Sequence, residues 1–224
     1  MNSRPVRICI VLLLGAFNTA CVIDSRTKDT MIGPERQLAL PVSEKSVVSV
    51  RIPVGEVNVL ASDGEDLTAE LVIRCADEDS ACARRLRDVS FVTRERRDGS
   101  VAVRLSRNSS SGYRDAEVEA TIYVPTTGQL ELNMTAGELR VDPIDACVEV
   151  DMGAGDVNVM ANTSNYRSVE IDAGVGDAHL SIDGRSYHVP RSWLIGAQTQ
   201  WREGDGRCDM LVDLQAGDID VQLN

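Results

Sequence analysis

Five acids in this chain share one local setting. Glu56, Glu138, Asp156, Asp177 and Asp218 each follow a glycine, at positions 55, 137, 155, 176 and 217. Asp151, Asp172 and Asp213 form a second set, four residues before the last three of those glycines. Aligned carboxylates suit a hard cation, since calcium takes about six to eight oxygen ligands. On adjacent strands ~4.8 Å apart, two such charges repel by about 1 kcal/mol in water. Asp151, Asp156, Asp172 and Asp177 are the metal candidates on this reasoning. The chain lacks the denser Gly-Gly-x-Gly-x-Asp pattern of calcium-binding solenoids. Acids after glycine also suit soluble turns and strand edges, and that plainer account is the expectation here. No metal or cofactor is expected.

Other chemistry finds less support. The Gly-x-Gly of "VEVDMGAGDVNV" (148–159) is followed by an alternating stretch, whereas a dinucleotide fingerprint needs a helix after the turn. No Ser or Cys has a recognisable base nearby, and the outward acids resemble one another too closely for a general acid–base pair. The chain is therefore read as non-enzymatic; the alternative is a calcium-dependent enzyme acting on polysaccharide. "GRSYHVPRSWLIGAQTQWREGDGRC" (184–208) gathers both Trp, His188 and Arg185, Arg191, Arg202 and Arg207 on an acidic protein. Tyr187, Trp193 and Trp201 are the ligand-contact candidates there, because aromatic faces suit sugar rings and apolar anchors. A cap on the end of a repeat stack would account for the same segment, and is favoured.

The net charge of −12 disfavours both nucleic acid and anionic lipid as partners, and no nucleic acid is expected. The first twenty residues read as an export signal: Arg4 and Arg7, then the apolar "ICIVLLLGAF", then "NTAC". The apolar run is too short to span a bilayer. A cysteine after small residues resembles the lipobox of bacterial lipoproteins, with Asn18 where Leu is usual. Cys21 is then the lipidation site, and the resemblance implies an outer-membrane lipoprotein, periplasmic or surface-facing, touching the membrane through its anchor alone. Without residues 1–20 the net charge becomes −14. Residues 21–35 read as a tether. In an oxidising compartment Cys75, Cys82, Cys147 and Cys208 read as disulfides. Cys75 and Cys82 flank a short loop and close easily, leaving Cys147 for Cys208. That second bridge conflicts with regular stacking: three rungs separate its ends by about 14 Å at Cα, against a limit near 7 Å.

The elements that position these residues are strands. Align "VSVRIPVGEVNV", "LELNMTAGELRV", "VEVDMGAGDVNV", "VEIDAGVGDAHL" and "MLVDLQAGDIDV" on the glycines at 55, 137, 155, 176 and 217. The positions seven, five and three before the glycine, and two and four after it, are apolar in every segment, 25 of 25. Unpatterned sequence of this composition would give about eleven. Positions four before, one after and three after are polar throughout. The alternation has period two, with one face buried and one wet. A spacing of about twenty residues indicates a stacked repeat. The expectation is an all-β, single-domain β-solenoid or β-prism over residues 36–224, with a β-sandwich as the alternative. A short helix or structured loop is expected at 77–88.

The order "RIPVGEVNV", "YVPTTGQLELNMTAGELRV", "GAGDVNV", "LQAGDIDVQL" resembles the bacterial putative-adhesin family, whose function is unknown and whose members are expected to be β-solenoids. The resemblance spans nearly the whole mature chain. It implies a binding or scaffolding role towards an envelope component or glycan, and brings no catalytic residues.

Overall fold

The structure is a computed structural model and describes residues 29–31, 36–76, 79–97, 99–107, 110–187 and 196–224. Strands dominate it. They are β1 (Asp29–Met31), β2 (Arg36–Pro41), β3 (Val47–Ala61), β4 (Asp66–Ala76), β5 (Phe91–Glu95), β6 (Val101–Leu105) and β7 (Ala116–Val124). Then come β8 (Gln129–Val141), β9 (Cys147–Ala161), β10 (Tyr166–Ala173), β11 (Ala178–Ile182), β12 (Arg185–Tyr187), β13 (Ala197–Trp201) and β14 (Cys208–Leu223). All belong to one mixed sheet. β1 falls inside the expected tether and pairs antiparallel with β4.

The centre is a parallel ladder in the order β3, β8, β9, β14, paired residue to residue from one glycine to the next. Gly55, Gly137, Gly155 and Gly217 lie side by side with φ between +125° and +136°, and Gly176 at +132° extends the column past Gly217. A Cβ on Gly137 would sit 2.0 Å from the Gly55 carbonyl oxygen, and one on Gly217 would sit 1.7 Å from that of Gly155. The column admits no side chain.

Each glycine is a corner. The apolar positions three before and two after it are five residues apart, so a straight strand would point them to opposite faces. Both point inward here, because the left-handed residue shifts the alternation by one. The period-two pattern is thus two patterns, one per arm. Chain length demands the same bend. A straight strand of β8's 13 residues would span ~43 Å. Residues 142–146, which lead back to the start of β9, reach ~20 Å at most. All 25 inward positions of the five segments are buried, none more than 8% exposed. Burying each Val or Leu stabilises by about 1.5–3 kcal/mol, which explains the strict pattern.

At both ends the arms separate. The first arm of β3 pairs with β6 and its second arm with β7, both parallel. Beyond these the pairing turns antiparallel, to β5 and to β4. At the other end β14 pairs with β10 and β11, and β13 and β12 follow antiparallel. Residues 184–208 thus supply two strands that close this end. The helix α1 (Ser80–Leu86) starts where Asp79 accepts hydrogen bonds from the amides of Ala81 and Cys82, at 3.0 and 2.8 Å. Cys82 joins this helix to Cys75 on β4.

Among the five glycine segments, spatial order departs from chain order at one place. β14 lies between β9 and β10, although β10 precedes it in the chain. Cys147 and Cys208, at the starts of β9 and β14, become neighbours with Cα atoms 5.1 Å apart and form a disulfide. The distance conflict of the regular stack disappears because the segments around Gly155 and Gly217 are adjacent. Beside this bridge Tyr166 is fully buried and donates its hydroxyl to the Ala146 carbonyl at 3.0 Å. Burial pushes its phenol up to about 12.

Candidate functional site

The bent strands present two flat outer faces. On the first arms one row runs Ser49, Glu131, Glu149, Leu211, Glu170 across adjacent strands. The next row runs Arg51, Asn133, Asp151, Asp213, Asp172. Amides hold several of these carboxylates: Gln129 Nε2 donates to Glu149 at 3.0 Å and Gln200 Nε2 to Glu170 at 2.9 Å. Leu211, 42% exposed, is an apolar island among the acids. Asp213 lies between Asp151 and Asp172. Burial, together with those two charges, raises its carboxyl above the ordinary value.

The inserted β14 rearranges the metal candidates. Asp151 and Asp172 are separated by Asp213, two strand spacings or ~9.6 Å apart. Asp218 stands beside Asp156, and its Oδ1 accepts the Asp177 amide at 3.0 Å. Among the described residues no group of three or more His, Cys, Asp and Glu is arranged to hold a metal ion. His179 lies opposite Asp220 on the second arm's outer face, with Nδ1 3.7 Å from Oδ2 and without a hydrogen bond.

A cavity of about 650 Å³ opens at the closed end of the ladder. The hairpin of β11 and β12 forms one wall. Its turn is Asp183–Gly184, with φ +48° and +74°, the Asp-Gly pair that a two-residue I′ turn requires. This wall contributes Asp183, Arg185 and Tyr187; the loop after β13 contributes Glu203 and Asp205. The Thr163 hydroxyl donates to Asp183 at 3.2 Å.

The loop is fixed by close approach. A Cβ on Gly204 would lie 2.0 Å from the Tyr166 carbonyl oxygen, and one on Gly206 would lie 2.2 Å from the Tyr166 nitrogen. Arg207 pairs with Asp145 at 2.8 Å, and Arg167 grips Asp209 with both guanidinium branches. Hydrogen bonds from Arg167 and Ser168 hold the Asp209 carboxyl down to about 2.

Of the aromatic candidates, Tyr187 is half-buried and lines this cavity. Trp201 also reaches the lining but is only 7% exposed, so most of its indole belongs to the core. Trp193 and His188 lie outside the described residues, as does Cys21. Asp183, Arg185, Glu203 and Asp205 escape sequence reasoning because charged residues near glycines look like solvated turns. A larger hollow of about 710 Å³ lies among turns at 42–45, 62–65 and 125–126, and its lining holds no aromatic residue.

No family and no curated relative matches the chain. Solved structures share its outline weakly. One is a putative cell adhesion protein from Clostridium sporogenes, 13% identical with TM-score 0.49, covering 85% of this chain and 100% of that one. Another is a putative adhesin from Bacteroides fragilis, 12% identical with TM-score 0.30, covering 85% and 97%. A third is a putative lipid binding protein from Parabacteroides distasonis, 8% identical with TM-score 0.24, covering 86% and 97%. The first two names agree with the resemblance read in the sequence. With TM-scores below 0.5 they carry no argument about this chain's fold or function. Among the described residues no helix is long and apolar enough to cross a membrane.

Proposed function

We propose that this chain is an exported, lipid-anchored β-solenoid of the bacterial outer membrane that binds or scaffolds envelope components and catalyses no reaction. The observation that carries the binding role is the first-arm face. There Glu131, Glu149 and Glu170 lie beside Asp151, Asp213 and Asp172 across the adjacent strands β8, β9, β14 and β10. A predominantly acidic surface suits a partner with a basic patch, and steers its approach. The solenoid reading is supported by the glycine column and by the short return link at 142–146. The anchor is supported by the export-type leader ending at Cys21.

The test uses the mature chain with Cys21→Ser, immobilised and exposed to detergent-solubilised envelope proteins at low salt. Replacing Glu131, Glu149 and Glu170 together by Gln should reduce capture at least tenfold at an unchanged Tm. Equal capture by parent and variant would overturn the acidic face as the contact surface.

A further inference from the structure

The end cavity differs in kind from the flat faces. It is concave, and its volume of about 650 Å³ lies within the range of small-molecule sites, about 300–1,000 Å³. Its groups are mixed: Tyr187 and Trp201 are aromatic, and Arg185 is a planar donor. Asp183, Glu203 and Asp205 offer acceptors. Among the described residues the side chains of Arg185, Glu203 and Asp205 enter no ion pair or hydrogen bond. The walls are preset, since the I′ turn fixes one side and the Gly204 and Gly206 contacts fix the other. A preset site avoids the ordering cost of binding.

We infer that this cavity binds the end of an amino-bearing saccharide. The chemistry selects that class in three steps. A half-buried tyrosine ring beside polar groups suits the apolar face of a pyranose. Guanidinium and carboxylate groups bond neighbouring hydroxyls in pairs. Among the described lining residues three carboxylates stand against one guanidinium, an excess of two negative charges, which accepts an ammonium and rejects phosphorylated or uronic sugars. The site lies beyond the acidic face and does not depend on it.

The experiment is calorimetric titration of the mature Cys21→Ser chain with the β-1,4 disaccharide of glucosamine. Parallel titrations use its N-acetylated form, digalacturonate and trilysine. Saturable one-to-one binding of the glucosamine disaccharide is expected, at least tenfold tighter than the acetylated form, with none for digalacturonate. Tyr187→Ala should weaken it at least tenfold, and so should Glu203→Gln with Asp205→Asn. Those two positions are exposed, so the double variant should keep the parent Tm even if Tyr187→Ala loosens the hairpin. The triple Gln variant of the outer face should bind the disaccharide as the parent does. No binding, binding equalled by trilysine, or binding lost with the outer-face variant but kept in the cavity variants would each overturn the inference. Envelope capture unchanged by the outer-face variant, with sugar binding intact, would fault the face reading alone.

Discussion

Replacing Gly155 by alanine would put a methyl group 1.8 Å from the Gly137 carbonyl oxygen and hold an L-residue at φ +125°. Gly155→Ala should therefore lower the unfolding free energy by about 3 kcal/mol or more, read from the urea midpoint. Gly99→Ala is the control: its φ is +80° but no neighbour lies within 4 Å, so the cost should be about 1 kcal/mol. At Asp213 the strain is electrostatic. Its raised native value means the folded chain binds this proton more readily than the unfolded chain, so the group destabilises at neutral pH. Its contribution improves as pH falls through the native value and levels off below about 3.9. Asp213→Asn should raise Tm at pH 7 by about 1–2 °C and shrink the gain seen on mild acidification. Asp209 behaves oppositely: held down to about 2, its stabilisation is present above about pH 4 and lost below. The inward residues were legible in the sequence because apolar side chains at fixed offsets have one physical explanation. Trp201 was not, because an aromatic residue in a polar, glycine-rich segment has two, and burial chose the core.

Strands as elements were also legible, but their order was not. The five glycine segments carry nearly the same alternation, so any of them could lie beside any other. Connection length and the Cys147–Cys208 bridge distinguish the arrangements, and only a structure weighs them together. The two bridges should differ in worth. Cys147–Cys208 spans 61 residues and Cys75–Cys82 spans 7. In the chain-entropy account these contribute about 4 and about 2 kcal/mol. Paired Cys→Ala variants, compared by urea denaturation, should lose stability in that order. Equal losses would mean that β14 is held by its ladder bonds and core side chains rather than by the crosslink.

The described residues carry their charge outside and their apolar rows inside, with a broad acidic face on the first arms and a concave end lined by charged loops. The chain's composition announced the acidic face through the net charge. The concave end comes from loops meeting, Asp183 from one and Glu203 from another, and no local pattern marks such a meeting. The proposed anchor belongs to the same scale. Growth with a labelled fatty acid should tag the full chain, and Cys21→Ser should abolish the tag; a persistent tag would place the attachment elsewhere.

The strand at the heart of the ladder is made after the strands at its edge. Until residues 208–223 emerge, β9 and β10 have an open lane between them, and the unfilled lane exposes the apolar rows ending at Val159 and Ala173. A chain threaded across a membrane from its first residue would cross with its middle missing. Most repeat proteins can be shortened from one end and keep a fold. A premature stop before Cys208 would here remove a strand from the middle of the ladder, and the open lane would leave unfinished copies with the exposed apolar surface that chaperones and proteases act on.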